Sequence, residues 1–101
     1  MNTTQAQLQD MARVMGIASG AKQVILFGST ARGEATHDSD LDFLLVLEND
    51  ADGMKAGLAA LEVVPEEIPF DIIPMTERTF QNGSSLLARI VAREGTVLYA
   101  R

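Results

Sequence analysis

The sequence predicts an α/β protein: a small mixed β-sheet with helices packed against it. Three observations carry this. Short apolar runs at Val24–Phe27, Phe43–Val46 and Phe70–Ile73 have the length and the β-branched and aromatic content of strands. Other stretches repeat apolar residues at i, i+3, i+4 and i+7, the spacing of a helix face. Helix and strand alternate along the chain, an order that buries both kinds of apolar face in one layered core.

The elements follow in order. Thr4 and Gln7 have capping-box spacing, and Leu8, Met11, Ala12 and Met15 form one apolar helix face that Gly16 or Gly20 ends. Lys22–Phe27 is a strand, apolar on both faces and therefore central. Ser29–Gly33 reads as a corner opening a short helix with Ser29 as N-cap, and Glu34–Ser39 as a polar loop. Asp40–Leu47 is the second strand, with Asp40, Asp42, Leu44 and Val46 on one face. Met54, Leu58 and Leu61 give a second helix an apolar stripe, capped by Asn49 or Asp50. Leu61–Pro69 fits a helix extension or a short strand. Phe70–Ile73 is a third strand stopped by Pro74, and Thr76–Gly83 is irregular with room for one helical turn. Ser84 or Ser85 caps a last helix with Leu86, Leu87, Ile90 and Val91 inward. Gly95 ends it, and Thr96–Tyr99 is a terminal strand.

Composition narrows the function. The 101 residues fit one domain over 1–101. There are no cysteines and one histidine, His37, which leaves no thiolate or His-rich metal site. No apolar run approaches the roughly 20 residues that span a bilayer, and Met1–Asp10 lacks a signal-peptide pattern. A cytoplasmic protein is expected. The net charge of −6 argues against direct nucleic-acid binding.

The chemistry gathers at Gly28–Val46. Gly28 lets backbone approach a phosphate closely, and Ser29 adds a hydroxyl and helix-start N–H groups. Arg32 either reaches phosphate as a guanidinium fork or ties the loop to a carboxylate. Asp40 and Asp42 lie roughly 6.6 Å apart on one strand face, where they can share hard cations such as Mg²⁺. Asp71 sits in an apolar strand with no Lys or Arg beside it, a costly place for a charge unless it is paired, protonated or metal-bound. If its strand neighbours the second, three carboxylates meet, and a divalent cation would relieve their repulsion. His37 reads as a solvated loop residue, and Arg89 and Arg93 as a solvated helix face.

Gly28-Ser29-Thr30-Ala31-Arg32-Gly33, then Ser39-Asp40-Leu41-Asp42, then the isolated acid of Phe70-Asp71-Ile72, resembles the minimal nucleotidyltransferase family of the DNA polymerase β-type superfamily. The resemblance runs from the first strand to Val97-Leu98-Tyr99. Thr30 stands where an arginine or another large residue is frequent. The resemblance implies the nucleotidyltransferase fold and two Mg²⁺ ions on Asp40, Asp42 and Asp71. Asp71 would be the acceptor-side ligand and candidate general base. Gly28 and Ser29 would hold the β- and γ-phosphates of ATP, with Arg32 assisting. Many stand-alone members pair with a helical HEPN ribonuclease toxin and, as antitoxins, transfer AMP to one of its tyrosines. Little sequence remains beyond the core for an acceptor site, which favours such a partner. Two other functions stay open: a non-catalytic antitoxin that neutralises its partner sterically, and a small-molecule nucleotidyltransferase subunit similar to those that modify aminoglycosides.

Overall fold

The computed structural model describes residues 4–28, 30–33 and 40–101. The elements are α1 (Gln5–Ser19), β1 (Gln23–Phe27), β2 (Leu41–Leu47), α2 (Gly53–Leu61), β3 (Phe70–Thr76), α3 (Glu77–Gln81), α4 (Leu86–Glu94) and β4 (Thr96–Ala100). The strands form one mixed sheet in the order β3-β2-β1-β4. β1 is antiparallel to both β2 and β4, and β2 is parallel to β3. The expected α/β class with a mixed sheet, and the central place of β1, are what the structure shows.

Strand alternation divides the core in two. Val24, Leu26, Leu41, Phe43, Leu45 and Leu47 face α1 and α2, where they meet Leu8, Ala12, Met15, Ala56 and Ala60. Ile25, Phe27, Leu44 and Val46 face α3 and α4, where Val91 is buried and Phe80 and Leu87 pack against them. Thr4 caps α1 with the reciprocal bonds to Gln7, and Gly20 ends it in the left-handed conformation at φ 72°. At Gly16 a Cβ would overlap the Tyr99 ring, so the missing side chain lets α1 close on β4.

Several expectations shift. β3 continues through Pro74 to Thr76, because an edge strand does not need that N–H for a ladder on its outer side. Asp52, rather than Asn49 or Asp50, caps α2. The α2 helix stops at Leu61, and Val64 is buried although residues 62–69 form no strand. Ala88 takes the inward place in α4 that Leu86 was expected to share; Leu86 is exposed. The stripe Met54, Leu58 and Leu61 faces solvent, while small residues face the core.

One end of the sheet is clasped by charge. Lys22 Nζ lies 2.9 Å from Glu77 and 3.7 Å from Glu48, and Arg101 also binds Glu48. The hydrogen bond to Glu77, aided by the charges of Glu77 and Glu48, holds the Lys22 ammonium above its ordinary range against a smaller opposing effect of burial. The catalytic candidates lie at the other end.

Candidate active site

β1 leaves the sheet at Phe27, and Gly28 turns the chain with φ at +80°. The Arg32 N–H donates to the Gly28 carbonyl at 3.1 Å, and the Gly33 N–H to the Thr30 carbonyl at 3.2 Å. These bonds make a compact turn over residues 30–33, not the expected helix start. Ser29, His37 and the Glu34–Ser39 loop lie outside the described residues. The chain returns at Asp40, which is exposed one residue before β2. The Leu41 N–H donates to the Pro69 carbonyl at 3.1 Å, which pins the start of β2 beside the start of β3.

Register then sets the chemistry. Asp42 stands opposite Phe27 on one side and opposite Asp71 on the other. Asp42 shares its face with Leu44 and Val46, and Asp71 shares the same sheet face with Ile73 and Met75. Asp40, Asp42 and Asp71 therefore come together at one end of the α3/α4 face. Gly28 closes the third side: a Cβ there would overlap Oδ2 of Asp42. Glycine is required twice over, for its left-handed backbone and for the space that the carboxylate fills.

The electrostatics agree with this placement. Partial burial pushes the Asp42 carboxyl above its ordinary range, the charges of Asp71 and then Asp40 push it further, and Arg32 opposes them. Asp71 itself is exposed on the edge strand, so the expected cost of a buried charge does not apply to it; crowding by like charge does. Arg32 lies 3.5 Å from Glu94 at the end of α4. This supports the reading in which Arg32 ties the turn to a carboxylate, while its charge still reaches Asp42. Glu94 was not legible as a site residue, because its link to Arg32 spans most of the chain and carries no local pattern. Among the described residues no three acidic or histidine side chains close into a ready metal cluster. The donor chemistry nonetheless suits a hard cation: carboxylate oxygens only, mutually repelling, at an open sheet end.

Residues 13–98 match the profile of the nucleotidyltransferase domain family. The chain belongs to that family. A Methanocaldococcus jannaschii protein, provisionally named a protein adenylyltransferase, is 35% identical over 79 residues, covering 77% of this chain and 78% of its own. Among solved structures, a chain from a toxin–antitoxin crystallised with AMP-PNP superposes with a TM-score of 0.68 at 17% identity, covering 92% of this chain and 73% of that one. A candidate nucleotidyltransferase from Sulfolobus solfataricus gives a TM-score of 0.57 at 18% identity, covering 100% of this chain and 93% of its own. At these identities the two structures share the fold.

Two outcomes follow from the geometry. Gly28→Ala destabilises the protein by about 1–3 kcal/mol in urea unfolding. In an Asp42→Ala background the overlap is gone and the penalty falls to about 1 kcal/mol of backbone strain. Equal penalties in both backgrounds would mean that the carboxylate does not fill the space over Gly28. The second concerns pH. With its folded pKa raised above 3.8, Asp42 binds more protons in the native state than in the unfolded one. Stability is therefore lost as pH rises from about 3.8 through the raised value, and stays lost at neutral pH. Asp42→Asn, which never ionises, raises the Tm at pH 7, through a stability gain of no more than about 1 kcal/mol at so open a site. The advantage shrinks as wild-type Asp42 is protonated in acid; an Asn variant less stable than wild type at pH 7 would contradict the repulsion.

Proposed function

We propose that this nucleotidyltransferase moves AMP from ATP to a hydroxyl of a protein partner, and that the acceptor is a tyrosine of a helical HEPN-type ribonuclease toxin, which the transfer silences. The observation that carries the reading is the pairing of Asp42 with Asp71 in the parallel ladder, facing Gly28. The site motif's resemblance to the minimal nucleotidyltransferases supports it. So do the name of the M. jannaschii relative and the toxin–antitoxin whose chain shares this fold.

In this reading Asp40, Asp42 and Asp71 hold Mg²⁺, which when bound polarises the acceptor hydroxyl and neutralises the triphosphate. Gly28 and Ser29 present backbone and hydroxyl donors to the β- and γ-phosphates. The acceptor oxygen attacks the α-phosphorus, the bond to the bridging oxygen breaks, and pyrophosphate leaves. Asp71, exposed at the sheet edge, is on the side open to an incoming acceptor and takes the hydroxyl proton. Arg32, held by Glu94, keeps the turn and its positive charge near the carboxylates. Catalysis is then mostly positioning and charge compensation.

Transfer of label from α-³²P ATP to the partner toxin tests this. Wild-type protein with Mg²⁺ labels the toxin, and Asp71→Asn lowers the rate by about 100-fold or more. EDTA abolishes the reaction. Transfer at wild-type rate by Asp71→Asn would overturn the three-carboxylate mechanism. Neutralisation of the toxin by the same variant without any transfer would assign a steric role instead.

A further inference from the structure

α2 is apolar on two opposed faces. Ala56 and Ala60 are buried against the core, and the Pro74 ring lies in contact distance of a Cβ placed at either Gly53 or Gly57. The large side chains point the other way: Met54 is 78% exposed, Leu58 55% and Leu61 49%. Lys55 is the one charged residue in the helix. A helix that is apolar all round is normally a covered helix. Here the outer face is open, and with Asp52, Lys55, Ala59 and Glu62 its Met54 and Leu58 line a shallow surface depression.

The charges beside the stripe indicate what covers it. At about 3.6 residues per turn, Leu58 lies near the middle of the outer face. Met54 and Leu61 lie to one side of it, Lys55 and Glu62 to the other. Lys55 and Glu62 are two turns apart, and neither side chain has an ion-pair partner among the described residues. One edge of the patch thus carries both signs: Lys55 near its start, beside Asp52, whose carboxylate caps the helix at the Lys55 N–H, and Glu62 at its end.

We propose that α2 docks on α2 of a second copy of this chain, antiparallel about a two-fold axis beside Leu58. The axis brings the two Leu58 side chains together and lays Met54 on Leu61 of the other copy. It also sets Lys55 opposite Glu62 of the other copy, and the symmetry repeats each contact. A rim of mixed sign complements itself, whereas a partner selected by charge would face a rim of one sign. One nine-residue helix buries less than the roughly 800 Å² per partner of stable complexes, and the net charge of −6 on each copy opposes association. The dimer is therefore weak and reversible. α2 covers the sheet face opposite Asp42 and Asp71, so dimerisation leaves the catalytic end open and stands apart from the proposed chemistry.

Sedimentation velocity of the full chain from about 10 μM to 1 mM tests the dimer. The weight-average sedimentation coefficient rises with concentration for wild type. Lys55→Glu and Glu62→Lys each weaken association by about tenfold or more, since each places like charges opposite one another twice. The double reversal on one chain restores it, and mixing the two single variants gives a heterodimer. Leu58→Glu abolishes association, with far-UV circular dichroism showing that each variant is folded. A wild-type chain that stays monomeric to 1 mM overturns the proposal. So does self-association that both single reversals leave unchanged.

Discussion

The site depends on one imposed contact: Asp42 is held opposite Asp71 by the ladder between two parallel strands. Like charges directly opposite each other in a sheet are destabilising. Here the registers of β1, β2 and β3 are set elsewhere, by Leu44 and Val46 against Ile25, Ile73 and Met75. The apolar part of each strand fixes the alignment, and the acidic starts of β2 and β3 have to follow. Gly28 completes the constraint by taking the turn that leaves room for the Asp42 carboxylate. The result is an anionic corner suited to a partner that carries positive charge, which is what a divalent cation supplies to a triphosphate site.

The two ends of the sheet use charge in opposite ways. At the far end Lys22, Glu48, Glu77 and Arg101 alternate in sign and join the starts and ends of four elements. At the opposite end three carboxylates crowd, with Arg32 alone among the described residues lowering the Asp42 pKa, and Arg32 is shared with Glu94. Opposite charges tie one end of the sheet together, and like-charge repulsion that Arg32 opposes is kept at the other.

Much of this was legible in the sequence, for definite reasons. Thr4-x-x-Gln7, the apolar β1 and the alternation in β2 are local signals, and each formed the expected element. Asp42 and Asp71 could be singled out by their strand contexts, but their pairing rested on β3 lying beside β2, which no local pattern fixes. Asp71 is crowded by like charge on an exposed edge, and not buried as its apolar neighbours in sequence suggest. Pro74 did not end β3, since whether a proline is tolerated depends on which side of the strand is free. The stripe on α2 was readable as apolar, but not its direction. Ala56 and Ala60 took the inward face, with Gly53 and Gly57 beside Pro74, an arrangement set by how α2 docks on the sheet and β3 and not by any local pattern. The Arg32–Glu94 link, set by the docking of α4 over the turn, had no sequence signal.

The central claim is that Asp40, Asp42 and Asp71 act together on a cation at the end of the sheet. Paramagnetic broadening by Mn²⁺ in an amide-resolved NMR spectrum of the free protein tests it most directly. Substoichiometric Mn²⁺ is expected to broaden the amides of Gly28, Asp40–Asp42 and Asp71 first, to leave those of Lys22, Glu48 and Arg101 sharp, and to lose this selectivity in Asp42→Asn. Broadening that starts at the Glu48 end of the sheet, or that is unchanged in Asp42→Asn, would contradict it.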